Sequence, residues 1–312
     1  MSFKNTRDAF MERLIDLTIS NPMVAVVDPD VGSATKTWDF GLEYPDKFYE
    51  MGIAEQNAFG VASGLSSTGL KVFAATFAVF ASMRAAEMIR TSICYPKLNV
   101  VVIGGYAGLS NGKDGATHQS IEDLAIMRSF PNMTVVACTD SVFARKLADL
   151  ALEHKGPLYI RMEYETFEPV YREADLIELG KANVIRTGSD VTLVTCGTAL
   201  RRALEAADLL AARGYSAEVI DMHTLKPIDR DTLLKSVQKT RKLVSLEDHN
   251  VIGGLAGALS ECLAQENMVF KYKALGIRDV FTESGKTDEL RKKYGISAAN
   301  MFESALNLIE EV

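Results

Sequence analysis

Leu98-Asn99-Val100-Val101-Val102-Ile103, followed by a glycine-rich loop from Gly104 to Gly115, is the stretch that decides the fold. Its apolar residues run almost without interruption, which is typical of a strand covered on both faces. Segments of the same character recur at 24–27, 71–75, 134–137 and 158–161. Helical patterns separate these segments, and this alternation predicts an α/β protein with doubly wound, mostly parallel sheets.

The chain of 312 residues is long enough for two domains. The alternation of strands and helices stops in a polar stretch near Phe167 to Gly180, and it restarts with a strand at 191–195. We therefore predict a first domain over residues 1–167, a linker over 168–180 and a second domain over 181–312. Helices are expected at 6–20, 55–65, 77–95 and 199–213.

Composition excludes several classes of protein. The net charge is −7 and no block of basic residues occurs, so we predict no nucleic-acid partner. No apolar run reaches about 18 residues, which predicts no membrane span. The four cysteines lie in apolar surroundings without metal-ligand spacing, so we expect buried, reduced thiols in a cytoplasmic protein.

The segment Gly52-Ile53-Ala54-Glu55-Gln56-Asn57 places a carboxylate at the start of a predicted helix. An exposed acid in a first helical turn is favoured by the helix dipole, and this is one interpretation of Glu55. The apolar neighbours Ile53, Ala54 and Phe59 favour burial instead. Burial raises the pKa of a carboxyl group, which suits proton exchange with a ring nitrogen.

A second polar segment, Asp114-Gly115-Ala116-Thr117-His118-Gln119, lies on the loop that follows the apolar strand. Asp-Gly alone is a common turn, and a loop histidine is commonly solvated. Together these side chains suit recognition of hydroxyl groups better than metal binding, because no second histidine or cysteine is near.

Phe77, Phe80 and Arg161 are further candidates with two interpretations each. The two phenylalanines are three residues apart, and they form either plain core packing or a flat slot for a heterocyclic ring. Arg161 closes a strand, and its guanidinium either forms an ordinary salt bridge or binds phosphate. In doubly wound sheets ligands lie beyond the carboxyl ends of the strands, near which Asp30, Glu55 and Arg161 are all expected.

Five segments occur in the order found in the C-terminal half of transketolase, which the chain resembles over nearly its whole length. They are Asp28-Pro29-Asp30-Val31, Gly52 to Asn57, Thr76-Phe77, Asp114 to Gln119 and Glu247-Asp248-His249-Asn250. The likeness is greatest to split transketolases, whose two halves are separate polypeptides.

The resemblance implies a pyrimidine-binding domain over 1–167 and a transketolase C-terminal domain over 181–312, with thiamine diphosphate between two subunits. In this family a Gly-Asp-Gly motif in the other half holds the diphosphate and the metal, and this sequence contains no Gly-Asp-Gly. The resemblance therefore implies no metal ligand in this chain, and an N-terminal transketolase subunit as a separate partner that binds Mg²⁺ (or Ca²⁺). We expect two copies of each chain in the assembly.

The resemblance also gives roles to residues at the cofactor. Glu55 is expected to be catalytic, as the partner of the aminopyrimidine ring nitrogen. Phe77 and Phe80 match the aromatic pocket of the pyrimidine, and Asp30 and Val31 match the loop on the cofactor side.

At the sugar phosphate, Asp114 is expected to recognise a donor hydroxyl. His118, the second expected catalytic residue, would hydrogen-bond the reacting hydroxyl or carbonyl. Arg161, with Ser33, would hold the terminal phosphate.

Two positions depart from the family pattern. Met83 stands where a tyrosine is common, and Tyr106 stands where a histidine is common shortly before the Asp-Gly pair. Tyr106 is neutral and bulkier than histidine, so the donor end of the pocket is expected to differ, and an unusual sugar phosphate is a possible substrate.

The sequence thus predicts the C-terminal subunit of a split transketolase that transfers a two-carbon ketol unit between sugar phosphates. Two alternatives stay open within the thiamine enzymes: a subunit like 1-deoxy-xylulose-5-phosphate synthase, or one like a 2-oxo acid dehydrogenase. A third alternative is a non-catalytic scaffold that kept the fold.

Overall fold

The computed structural model describes residues 3–311, so the ends of the two predicted domains, Met1, Ser2 and Val312, lie outside the described residues. Two sheets with helices on their faces make up the chain. The strands are β1 (Val24–Asp28), β2 (Phe48–Glu50), β3 (Lys71–Phe77), β4 (Val100–Gly105), β5 (Thr134–Ala137), β6 (Leu158–Arg161), β7 (Asn183–Arg186), β8 (Val191–Thr195), β9 (Ala217–Asp221), β10 (Thr224–Lys226), β11 (Lys242–Asn250) and β12 (Lys271–Ile277).

Helices cover both faces of these sheets. They are α1 (Thr6–Thr18), α2 (Gly32–Thr35), α3 (Thr37–Glu43), α4 (Glu55–Ser67), α5 (Ala78–Met83), α6 (Ala86–Met88), α7 (Asp123–Ser129), α8 (Ser141–Glu153), α9 (Ala199–Ala211), α10 (Arg230–Thr240), α11 (Leu255–Leu263), α12 (Thr287–Lys293) and α13 (Ala298–Glu310).

The first sheet has the strand order β10–β5–β6–β4–β3–β1–β2. All its pairs are parallel except β10 with β5. Val100, Val101 and Val102 of β4 are fully buried because helices pack on both faces of this central strand. The connection after β1 leads toward one edge of the sheet and the connection after β3 leads toward the other, so the carboxyl ends of β1 and β3 lie at the place where α/β sheets bind ligands.

The second sheet has the order β12–β11–β8–β9–β7, and only its edge strand β7 is antiparallel to its neighbour. The prediction of an α/β protein with doubly wound, mostly parallel sheets is confirmed. No regular element lies between β6 and β7. The domain boundaries at 167 and 181 stay predictions, and β10, from the second predicted domain, pairs with β5 of the first.

Side-chain caps fix where several helices begin. The Asn5 side chain accepts a hydrogen bond from the Arg7 amide at the start of α1, and the Asp140 side chain does the same for Phe143 at the start of α8. These bonds satisfy amide groups that a helix leaves unpaired at its first turn. The two helices pack together on the first sheet, where Phe10 and other apolar residues join one buried cluster.

The single helix predicted at 77–95 is wrong. Phe77 belongs to β3, and its backbone is extended at φ −66° and ψ 142°. The helical segment after it is broken, because the amide of Ala85 bonds to the carbonyl of Phe80, five residues back. Residues 89–94 then form a π-helical turn.

Other findings agree with the composition. All four cysteines are buried and unpaired, as predicted. Within residues 3–311, no helix is both long and apolar enough to span a membrane.

Candidate functional site

An aromatic wall stands at the carboxyl ends of β3 and β4. The rings of Phe77, the last residue of β3, and Phe80 in α5 are stacked, with centroids 5.8 Å apart and planes 19° from parallel. Tyr106 follows β4, and its ring centroid lies 5.0 Å from that of Phe77. Phe77 and Phe80 are only partly buried, so their rings are not fully enclosed by the core.

Glu55 is the first residue of α4 and is 6% exposed. The structure therefore shows a buried carboxylate and not an exposed acid in a first helical turn. Its Oε1 accepts a hydrogen bond from Arg84 Nη1 at 3.0 Å. The Arg84 guanidinium also lies 4.2 Å from the centroid of the Phe80 ring, in a cation–π contact. Arg84 therefore connects the carboxylate to the aromatic wall, a role that the sequence analysis missed. Its position four residues after Phe80 on a predicted helix could have indicated that the two side chains are neighbours.

The carboxylate borders an open cavity. The cavity has a volume of about 400 Å³ and the following lining residues: Ile53, Ala54, Glu55, Gln56, Asn57 and Arg84. The Glu55 side chain, otherwise almost fully shielded from water, lines this cavity.

His118 joins the same wall from the loop after β4. Its ring meets Phe80 edge-on at a centroid distance of 5.3 Å, and it meets Phe77 at 6.0 Å. Its Nδ1 lies 2.9 Å from the hydroxyl of Thr117. Asp114 is exposed on the turn before it. The structure thus brings His118, Phe77 and Phe80 together, with Glu55 joined through Arg84.

The loop after β1 is shaped by Asp28, which is fully buried. Its carboxylate accepts bonds from the amide of Val31 at 2.7 Å, the hydroxyl of Thr35 at 3.0 Å and the hydroxyl of Thr37 at 2.5 Å. Burial raises the pKa of this carboxyl group, although these donors partly offset the effect. The predicted cofactor-side residue Val31 is therefore fixed through its backbone.

Asp30 and Ser33, also predicted at the site, are exposed on this loop. The loop is tied to the aromatic wall through Arg7, whose Nη1 donates to the carbonyl of Ala34 and, at 2.7 Å, to the hydroxyl of Tyr106.

Tyr106 and Tyr164 form a second stacked pair, with ring centroids 5.1 Å apart. The Arg7 guanidinium lies 4.7 Å from the Tyr164 centroid. Burial raises the pKa of the Tyr106 hydroxyl, although the nearby Arg7 lowers it. Arg7 and Tyr164 were missed because 157 positions separate them in the sequence. Met83, the other departure from the family pattern, is exposed.

Arg161 does not reach this site. Its side chain is 1% exposed and forms buried ion pairs with Asp123, at 3.0 Å, and with Glu163. Its Nη2 also donates to the carbonyl of Asp248 at 2.6 Å. Burial by itself would lower the pKa of this guanidinium, but the two carboxylates raise it above its usual value. The geometry therefore corrects the expected phosphate contact in favour of the salt-bridge alternative.

Within the described part of the chain, no group of three or more His, Cys, Asp or Glu side chains is arranged to hold a metal ion.

Two family profiles match the chain. Residues 3–167 match the description "Transketolase, pyrimidine binding domain", and residues 180–301 match "Transketolase, C-terminal domain". Together with the two sheets, these matches define an α/β protein of the thiamine diphosphate-dependent enzyme class. The chain belongs to the transketolase family, and the resemblance found in the sequence is confirmed.

Relatives align with this chain from end to end. A "putative transketolase C-terminal section" from Methanocaldococcus jannaschii is 41% identical over 99% of this chain and 97% of its own length. A "6-deoxy-6-sulfo-D-fructose transketolase subunit" from a Clostridium species is 37% identical over 97% of this chain and 94% of its own.

A solved structure described as "Split gene transketolase, inactive beta4 tetramer" is 43% identical, with a TM-score of 0.89 over 98% of both chains. The chain is also similar to 1-deoxy-D-xylulose-5-phosphate synthases, and it spans about half of their length. The chain is thus similar to split transketolase subunits and to half of a larger thiamine enzyme.

Proposed function

We propose that this chain is the C-terminal subunit of a split, thiamine diphosphate-dependent transketolase that transfers a two-carbon ketol unit between sugar phosphates. The observation that carries the proposal is the continuous arrangement of Glu55, Arg84, Phe80, Phe77 and His118 at one edge of the first sheet. The end-to-end match to separate transketolase subunits supports a split enzyme.

The residues present fit the aminopyrimidine of the cofactor. Arg84 occupies one oxygen of Glu55, and among residues 3–311 the other oxygen accepts no hydrogen bond, so it is free to face a ring nitrogen. The stacked Phe77 and Phe80 offer an aromatic surface for the ring. The bound cofactor supplies an electron sink for cleavage of a carbon–carbon bond. Glu55 holds the proton at the ring nitrogen and orients the ring.

We assign the substrate to the space between His118, Asp114 and the loop that carries Ser33. Asp114 recognises a donor hydroxyl and His118 hydrogen-bonds the reacting oxygen. Arg161 is only 1% exposed, so we assign the phosphate contact to Arg7, whose side chain is 17% exposed. The Nε of Arg7 pairs with Asp8 at 3.0 Å, and its Nη1 adjoins the Ser33 loop through the carbonyl of Ala34.

We place the diphosphate and the Mg²⁺ (or Ca²⁺) site on an N-terminal transketolase subunit, because this sequence has no Gly-Asp-Gly motif. Asp30 and Val31 then border the cofactor on this side of a cytoplasmic assembly with two copies of each chain. The name of the solved relative, an inactive tetramer of one kind of chain, supports the need for a second kind.

The residues at the donor end of the pocket favour an unusual sugar as the substrate. Tyr106 is held by Arg7 and stacked on Tyr164, so a bulky neutral wall stands where a histidine is common in the family. One relative is named for a sulfonated sugar. A substrate screen therefore includes sugar phosphates and sugar sulfonates.

Reconstitution tests the proposal. We would mix the chain with the candidate N-terminal subunit, thiamine diphosphate and Mg²⁺, and measure assembly by native mass spectrometry and ketol transfer between a ketose phosphate and an aldose phosphate. The chain alone is the control and should be inactive. Pyruvate-dependent release of carbon dioxide would instead favour the synthase-like or dehydrogenase-like alternatives. A complex that binds no cofactor would favour a scaffold.

A further inference from the structure

The loop that carries His118 is bound along its length by the second half of the chain. The amide of Leu109 donates to Asp248 Oδ1 at 2.9 Å, and the amide of Gly285 donates to the carbonyl of Gly112 at 2.9 Å. A Cβ atom at Gly112 would lie 2.5 Å from the Gly285 carbonyl oxygen, so the two backbones meet more closely than a side chain would allow.

Gln119, the residue after His118, fastens the end of the loop and is almost fully buried. Its Nε2 donates to the carbonyl of Glu283 at 3.1 Å and to the carbonyl of Gly112 at 3.3 Å. Its Oε1 accepts a hydrogen bond from the hydroxyl of Thr282. One amide side chain therefore joins both parts of the loop to residues 282–283.

Apolar packing supports these bonds. One residue of the loop and one residue just after it form a separate buried cluster with three residues from the second half of the chain. The members are Leu109, Ile121, Ile277, Leu290 and Ile296.

Asp248 connects this arrangement to α12. Its Oδ2 accepts a hydrogen bond from Arg291 Nε at 2.9 Å. Burial by itself would raise the pKa of Asp248, but the guanidinium of Arg291 lowers it below its usual value. The carboxylate therefore stays ionised while it accepts the Leu109 amide, and it links α12 to the loop through hydrogen bonds.

His118 has little else to hold it. Its only polar side-chain contact among the described residues is with the exposed Thr117. The distance of 5.3 Å between its ring and that of Phe80 is consequently set by the backbone of the loop.

We propose that residues 282–291, together with Asp248, form a platform that positions His118 against the aromatic wall, with Thr282 and Gln119 as positioning residues. This inference rests on the proposed function, because it takes His118 as a group that contacts substrate. It gives the second half of the chain a direct part in the sugar-binding site.

The decisive variant is Thr282→Val, which removes the hydroxyl donor and keeps the shape of the side chain. Hydrogen exchange, measured on the chain alone, should become about fivefold to tenfold faster in peptides covering 106–119, because one buried hydrogen bond is lost. Exchange in peptides covering 48–60, around Glu55, should not change. Thr282→Ser should restore slow exchange, and Thr187→Val is the matched control, because Thr187 is exposed and its side chain forms no hydrogen bond with residues 3–311.

In the complex with its partner, Thr282→Val should raise KM for the sugar phosphate or lower kcat by a similar factor, while the Kd of thiamine diphosphate stays unchanged. Unchanged exchange at 106–119 would overturn the platform. Faster exchange at both 106–119 and 48–60 would also overturn it, by showing a general loss of stability. Failure of the wild-type complex to transfer a ketol unit would contradict the proposed function instead, so the two results are distinguishable.

Discussion

Replacement of Arg161 by Met tests whether this residue stabilises the fold or binds phosphate. The change removes a guanidinium whose side chain is 1% exposed and which faces Asp123, Glu163 and the carbonyl of Asp248. It leaves two buried carboxylates without their main partner. Breaking one side of a buried ion pair costs about 3–5 kcal/mol of folding free energy.

The structure places the effect near the lower end of that range. Asp123 still accepts a hydrogen bond from the Tyr159 hydroxyl at 2.7 Å, and Glu163 still accepts one from Thr198. With an unfolding entropy of about 2.1 cal/mol/K per residue, a loss of about 3 kcal/mol lowers the Tm of a chain of 312 residues by roughly 5 °C.

The assay is thermal unfolding followed by circular dichroism, with Arg186→Met as the matched control. Arg186 pairs with Asp208 at 2.8 Å, but their side chains are 36% and 68% exposed. The control should therefore lose at most about 1 kcal/mol. If Arg161→Met left the Tm within the range of the control and instead raised KM for the sugar phosphate, the assignment of Arg161 to the fold would be refuted.

Two further changes test the aromatic wall and a buried acid. Phe80→Ala should raise the Kd of thiamine diphosphate in the reconstituted complex by about tenfold, because half of the stacked pair is lost. Calorimetric titration measures this Kd. The control Tyr95→Ala, which removes an exposed ring, should leave it unchanged. Burial raises the pKa of Asp221, which accepts bonds from Thr139 and Tyr171, to about 7. The folded state then keeps a proton that the unfolded state releases near pH 4, so this contribution to stability is complete below about pH 4 and is lost as the pH rises to about 7. Tm measured between pH 5 and 7.5 should fall less steeply with pH in Asp221→Asn, and an unchanged slope would show that Asp221 does not titrate in this window.

Much of the fold follows from short-range patterns. The uninterrupted apolar residues of β4 indicate burial on both faces, and the structure has this strand in the middle of a parallel sheet. These patterns did not predict elements whose structure depends on contacts between residues far apart in the sequence. The strand β10 has only three residues and pairs with β5 from the other half of the chain. The break after α5 is marked by a hydrogen bond from the Ala85 amide to the Phe80 carbonyl. The residue types in this segment do not predict that bond.

The candidate site residues that could be predicted are those whose residue type and position together suggest a chemical role. Glu55, His118 and the two phenylalanines were identified because a carboxylate, an imidazole and aromatic rings stood at expected strand or helix ends. Arg7 and Arg84 were not, because an arginine on a helix surface gives no sign of which distant ring or carboxylate it will meet.

Arg161 shows the limit most clearly. Its position at a strand end fits both phosphate binding and a salt bridge. The choice depended on Asp123, 38 positions earlier, and on the carbonyl of Asp248, 87 positions later. Such partners are brought together only by the packing of the two sheets.

The central claim is that Glu55 acts on a cofactor shared with a partner subunit, and Glu55→Gln tests it most directly. The amide keeps the shape of the side chain but cannot exchange a proton as a carboxyl group does. In the reconstituted complex with thiamine diphosphate and Mg²⁺, ketol transfer by this variant should fall by at least about a hundredfold, the lower range for loss of a general acid–base group. The Tm and the assembly with the partner should be unchanged. Near-normal turnover by Glu55→Gln in an intact complex would contradict the account.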